Sequence, residues 1–308
     1  MSNYLIVIVG PTAIGKTQLA IALAKYFNTE IISSDSRQFY KEMSIGTAVP
    51  NQEELQAVKH HCIQHLSIFD PYSVAQFEKE CLELLAQLFV EKDIAVLVGG
   101  SGLYTDAVLY GLDHFPEVPN EIRRELNSIF TTQGITALQQ KLEQIDPAYY
   151  QRVDIQNPHR LIRALEVSIA SGKPYSSFLG KKPAQRRFVP LLIGLHGERE
   201  KIYERINHRV EVMVQRGLLE EAKRLYPHSH LNALQTVGYR ELFAYFEGKV
   251  TLEEAISEIK KNTRRFAKRQ LTWYRKNKSV IWLDYDLPLQ QSIEYVHKEL
   301  KAAVNAKK

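Results

Sequence analysis

Eight residues near the amino terminus, Gly10, Pro11, Thr12, Ala13, Ile14, Gly15, Lys16 and Thr17, follow the pattern G-x-x-x-x-G-K-[ST] between an apolar run and an amphipathic one. Glycines at the first and sixth positions let main-chain N–H groups turn toward an anion. The lysine adds a point charge, and the threonine hydroxyl suits a magnesium ion. A helix from Lys16 to about Phe27 would aim its positive end at the same anion. Two further stretches carry chemistry at strand ends. "EIISSDSRQFYKEMSIGTAVP" delivers Asp35, with Gln38 and Tyr40 close behind, and "IAVLVGGSGLY" delivers Gly99, Gly100 and Ser101. An aspartate beside a bound phosphate can ligate magnesium through water or take a proton from an incoming nucleophile. Gln38 offers the donor and acceptor pair that matches an adenine edge. Phosphate-loop triphosphatases hold their metal with an aspartate at the end of a second strand. Here a pair of glycines stands in that place, which lets a ligand approach the backbone. The other acid available for a metal is Asp284, at the end of "VIWLDYD". This points away from ordinary triphosphate chemistry.

These residues need a scaffold. Apolar runs of strand length occur at 4–9, 30–33, 94–98, 189–195 and 280–283, with helical patterns between them. The alternation predicts an α/β fold, a phosphate-loop NTPase-like parallel sheet with helices on both faces. The segment 115–187 lacks a strand pattern and reads as a helical insertion domain, leaving 1–114 and 188–308 as the catalytic core. Within it, Asn157 suits a helix N-cap, Pro158 the first helical position and Gly172 the end of the helix. A second helix is predicted over 263–278, with Arg265, Lys268, Arg269, Thr272 and Lys276 along a basic face. Phe266, Gln270 and Trp273 would lie on another face, the aromatics toward the core. The tail "AAVNAKK" is expected to fray.

Bulk composition excludes several classes. The chain has 308 residues, 44% hydrophobic and 24% charged, with a net charge of +5, as expected of a soluble globular protein with some affinity for polyanions. No apolar run approaches the roughly 18 residues of a membrane span. The opening run has no basic flank and reads as a strand, not a signal peptide. Cys62 and Cys81 form no C-x-x-C pair, which fits reduced thiols in the cytoplasm. His61, Cys62 and His65 have a spacing compatible with metal ligation, but the ligand set is incomplete.

In order along the chain, "GPTAIGKT", "SSDSRQFYKEMSIGTAVP", "GGSGLY", "NPHRLIRALEV", "VGYREL" and "AKRQLTWYRK" closely resemble the motifs of the bacterial tRNA dimethylallyltransferases, also called tRNA isopentenyltransferases. The resemblance runs from Gly10 to about Arg275. It implies transfer of a dimethylallyl group from dimethylallyl diphosphate to the exocyclic amine of adenine 37 in tRNA. The phosphate loop would then hold the leaving diphosphate.

Carried over residue by residue, the resemblance makes Asp35 the general base and Ser101, where the family usually has Thr, the partner of the bridging oxygen. Lys16 and Arg209 would stabilise the diphosphate, with magnesium at Thr17. Implied contacts to the tRNA anticodon arm are Asp35, Ser36, Arg37 and Gln38, then Ser101 and Arg123. The insertion adds His159, Arg160, Leu161, Ile162 and Arg163, with His159 where the family more often has Gln. Further contacts are Gln235, Thr236, Val237, Gly238, Tyr239 and Arg240. The last are Lys268, Arg269, Gln270, Leu271, Thr272, Trp273, Tyr274 and Arg275. A monomer is implied by the same analogy. The alternatives are a dimethylallyltransferase acting on free AMP or ATP, a phosphate-loop kinase using Asp284, and a non-enzymatic RNA-binding protein.

Overall fold

A computed structural model describes residues 3–180 and 184–305 of the chain. Six parallel strands, β1 (Asn3–Val9), β2 (Ile31–Ser33), β3 (His60–His61), β4 (Ile94–Val98), β5 (Phe188–His196) and β6 (Ile281–Asp284), lie in the order β3-β2-β4-β1-β5-β6. The five apolar runs are all strands. The two-residue β3 carries no hydrophobic period, and it is extended because Ile31 and Ile32 of β2 offer it a pairing edge.

Helices α1 (Lys16–Tyr26), α2 (Gln52–Ala57), α3 (Val74–Glu91) and α4 (Gly102–Tyr110) follow the first strands. After the insertion come α9 (Arg199–Gln215), α10 (Leu218–Leu225), α11 (Tyr239–Phe246), α12 (Leu252–Tyr274) and α13 (Leu289–Asn305). β1 is apolar throughout because both faces of the sheet are covered. Leu5, Val7 and Val9 join one core with Phe77 and Cys81 of α3 and Ile259 of α12. Tyr4, Ile6 and Ile8 join the other with Leu19 and Leu23 of α1, Ile206 of α9 and Val296 of α13. β1 lies between β4 and β5, and the chain leaves it for β2 on the far side of β4. Strand order therefore reverses beside β1, and the loops beyond the carboxyl ends part there, as ligand sites in such sheets require.

Residues Gly111–Ala184 form a second unit. Its helices are α5 (Asn120–Gln133), α6 (Ile135–Ile145), α7 (Pro147–Tyr150) and α8 (Pro158–Ser171), closed over Leu126, Leu138, Leu142, Leu161 and Leu165. At α8 the Asn157 side chain accepts from the Arg160 N–H, Pro158 opens the helix, and Gly172 closes it at φ 67°. Buried Asp146 ties the unit's turns together, accepting from the N–H of Tyr149 and from the N–H and hydroxyl of Ser176. Arg186, read from the sequence as part of the insertion, instead donates to Glu78 and to the Ala107 carbonyl within the core unit. Lys181, Lys182 and Pro183 of the "GKKPAQRR" stretch lie outside the described residues. So do Ala306, Lys307 and Lys308 of the tail, which is helical as far as Asn305. None of the described helices is long and apolar enough to cross a membrane.

Candidate active site

Gly10–Thr17 turns from β1 into α1, with Ala13 and Gly15 in the left-handed region at φ 66° and 107°. The loop is held from outside by α9 and α12. Arg205 donates to the Ala13 carbonyl at 2.8 Å, Arg209 to the Thr12 hydroxyl at 3.3 Å, and the Thr12 N–H to Gln270 Oε1 at 2.8 Å. Lys16 folds back so that its ammonium donates to the Pro11 carbonyl at 2.8 Å.

A cavity of about 600 Å³ opens over this loop. Its lining combines Lys16, Arg205, Arg209 and Arg216 with the Asp35 carboxylate and with apolar Ile45, Val49, Leu55, Ile63, Val212 and Met213. Burial lowers the Lys16 pKa to about 8, with Asp35 opposing that shift and Arg209 adding to it. Burial raises Asp35 above the usual carboxylate range, with Lys16, Arg37 and Arg209 pulling the other way. Burial thus makes the carboxylate a stronger base, and the neighbouring cations favour its ionised form.

Ser101 lies outside the cavity lining. Its hydroxyl accepts from the Ser36 N–H and pairs with the Ser36 hydroxyl, both at 3.1 Å, so it bridges the turns beyond β4 and β2. The adjoining glycines also make room for the protein's own side chains. A Cβ on Gly99 would meet Ser34 Oγ at 2.3 Å, one on Gly100 would meet Gln270 Nε2 at 2.1 Å, and one on Gly102 would meet the Trp273 indole at 2.4 Å. Side chains of the protein pack against all three glycines, and Gly99 also lines the cavity. Gln38 is also spent internally. Its Oε1 accepts from Ser33, and its Nε2 donates to the carbonyls of Thr47 and Ala48, while the residue also lines the cavity.

The 44–49 wall of the cavity hangs on one buried residue that sequence reading missed. Glu221, 2% exposed, accepts the N–H groups of Ser44, Ile45 and Gly46 and the Tyr239 hydroxyl. Tyr239 is fully buried against Gly46 and belongs to this support, away from the surface. A glutamate in the buried phase of a short amphipathic helix, beside Leu218, Ala222 and Leu225, is the signal that could have found it.

The other residues assigned to RNA divide by exposure. His159, Arg160, Gln235, Arg240, Lys268, Arg269, Thr272, Trp273 and Arg275 are exposed, and Thr236, Val237 and Leu271 half-buried. Leu161 and Ile162 are in the core of the second unit, and Gly238, Gln270 and Tyr274 are buried. Arg123 makes a two-point contact with buried Glu166, at 2.6 and 2.8 Å, and Arg163 donates to the same carboxylate at 2.7 Å. Arg37 donates to the carbonyls of Asn232 and Ala233. The predicted 263–278 helix belongs to a longer one that ends at Tyr274, so Lys276 lies beyond it. Its buried phase is Ala267, Gln270 and Tyr274, which turns Phe266 and Trp273 outward, at 36% and 39% exposed, against the expectation that they join the core.

Asp284 accepts from the Asp286 N–H at 3.0 Å within its own turn and is not among the residues that line the cavity. His61 is engaged by Glu30 at 2.5 Å. Cys62, His65 and Glu80 hold their ligand atoms within 4.8 Å of one another, Glu80 being a member that sequence spacing could not supply. This group is separate from the cavity lining, the Tyr72 hydroxyl donates to Glu80, and burial pushes the Cys62 thiol up to about 12.

Residues 38–277 match the sequence model described as IPP transferase. The tRNA dimethylallyltransferase of Christiangramia forsetii is 58% identical over 300 residues, covering 97% of this chain and 99% of that one. That of Flavobacterium johnsoniae is 55% identical over 308 residues, covering 98% and 100%. Among solved structures, the tRNA isopentenylpyrophosphate transferase of Bacillus halodurans is 38% identical with a TM-score of 0.74, covering 99% of this chain and 98% of that one. A eukaryotic dimethylallyltransferase acting on tRNA is 28% identical with a TM-score of 0.77, covering 93% and 75%. With a family match over most of its length and relatives more than half identical from end to end, the chain belongs to the IPP transferase family, that of the tRNA dimethylallyltransferases.

Proposed function

We propose that the protein transfers a dimethylallyl group from dimethylallyl diphosphate to the exocyclic amine of adenine 37 in tRNA. The observation that carries this reading is one cavity in which Lys16 and Arg209 share a desolvated environment with the Asp35 carboxylate, among apolar side chains suited to a five-carbon group. Loop amides at the α1 N-terminus, Lys16 and Arg209 bind and neutralise the diphosphate. The Thr17 hydroxyl would hold a magnesium ion, which when bound would supply further charge neutralisation on the leaving group. The carbon–oxygen bond of the donor breaks as the nitrogen–carbon bond forms, and Asp35 takes the proton that the amine loses. Ser101 acts near the bridging oxygen, exchanging its present bond to Ser36 for one to the donor. On α12 the exposed Arg265, Lys268 and Arg269 are interleaved with Phe266 and Trp273, and the Arg269 guanidinium lies 5.8 Å from the Phe266 ring centre. Cations with aromatics on one helix face favour a polynucleotide acceptor over a free nucleotide. On the second unit, exposed His159 and Arg160 suit the same partner.

The test is a competition with labelled dimethylallyl diphosphate, magnesium, unmodified tRNA and AMP. Label is expected in tRNA. Label in AMP alone would overturn the acceptor, and label in neither would overturn the reaction.

A further inference from the structure

Gln270 carries an amide into the interior of the core, at 5% exposure, where both ends of the side chain require partners. Oε1 accepts the Thr12 N–H at 2.8 Å, and Nε2 donates to the Gly100 carbonyl at 2.9 Å. Thr12 belongs to the phosphate loop after β1, and Gly100 to the turn after β4 that carries Ser101. The turn is shaped to this amide, since any side chain at Gly100 would collide with it. One helical turn further on, Trp273 packs on Gly102 and donates its indole N–H to Asp106 at 2.8 Å, which fixes the helix over the same turn.

We infer that Gln270 is a positioning residue that sets the phosphate loop against the Ser101 turn, and that it makes no contact with RNA. Two backbone groups from different strand ends are held by one planar amide, so the separation between cradle and turn equals the span of a single side chain. The Thr12 N–H is thereby taken up by Gln270 and not offered to the anion. Without the amide, the buried Gly100 carbonyl and the part-buried Thr12 N–H lose their partners, and the loop moves to recover them. The inference rests on the reading of the loop as a diphosphate cradle.

The test uses the full chain, with magnesium pyrophosphate as probe. Gln270→Met keeps length and apolar bulk and removes both bonds. The expected result is a rise of about tenfold in the Kd for magnesium pyrophosphate and in the KM for dimethylallyl diphosphate, with tRNA Kd unchanged. Gln270→Glu provides a readout that simple loss of packing would not move. Its protonated carboxyl can accept from Thr12 and donate to Gly100, so its pyrophosphate affinity should approach wild type at low pH and fall away as the carboxyl ionises. A weaker tRNA Kd with pyrophosphate binding intact would overturn the inference in favour of an RNA contact. Unchanged constants in both variants would overturn it outright. Wild-type protein that transfers label yet binds no pyrophosphate would sink the reading of the loop itself, a result distinct from either.

Discussion

Asp35 and Lys16 each hold the other in a charged state that burial alone would disfavour. A cation with a lowered pKa keeps its charge below that value and loses it as pH rises through it. For Lys16, at about 8, kcat/KM for the donor should therefore fall from that pH upward. The limb should approach about tenfold per unit, since this parameter reports the free enzyme. Lys16→Arg should move the limb upward, because a guanidinium stays charged. A flat profile through the same range would remove Lys16 as the group that binds the donor. Asp35 has the opposite sense: its raised pKa means that the base is lost as pH falls, earlier than for an exposed aspartate. Asp35→Asn should retain tRNA affinity and lower kcat by about 10²–10⁴-fold, the usual worth of a general base. Turnover at the wild-type level would exclude Asp35 from that role.

Loops rather than strands form most of the site, and each depends on an element behind it. The 44–49 wall depends on α10, where Glu221 accepts three consecutive backbone N–H groups and the Tyr239 hydroxyl. A carboxylate with this many donors cannot be replaced by an amide, which offers one acceptor and adds a competing donor. Glu221→Gln should cost about 2–4 kcal/mol of stability, because charge-assisted bonds are lost and buried N–H groups left unpaired. The same variant should raise donor KM more than it lowers kcat, since the wall touches the cavity and not Asp35. Chemical denaturation and steady-state kinetics check the two halves, and a donor KM equal to wild type would separate the wall from donor binding. The phosphate loop depends in the same way on α9 through Arg205 and Arg209.

At the scale of the molecule, the net charge of +5 matters less than its placement. Glu166 is buried beneath Arg123 and Arg163 in the second unit, so those arginines are partly neutralised. The α12 face has no ion pair from Lys268 or Arg269 among the described residues, and its cations are exposed. Arg269→Ala should weaken tRNA binding by about tenfold at moderate salt and reduce the slope of log K against log salt by about 1, leaving pyrophosphate affinity unchanged. An unaltered slope would show that this face does not meet the phosphate backbone.

Local chemistry alone determined the phosphate loop, the five apolar strands and the capped helix at Asn157. Each follows from residues adjacent in sequence: glycines and a lysine in a turn, a run that must be buried on both faces, an amide that caps the next turn of backbone. The order of six motifs carried the family. The phase of a long helix was harder to read, because Phe266 and Trp273 resemble core residues until Ala267, Gln270 and Tyr274 are seen to face inward. The purposes of Gly100 and Gly102, of Gln270 and of Glu221 were decided only in three dimensions. The backbone partners of Gln270 lie 170 and 258 residues away and those of Glu221 175 to 177 away, and a buried amide or carboxylate takes its role from whichever backbone groups the fold brings to it.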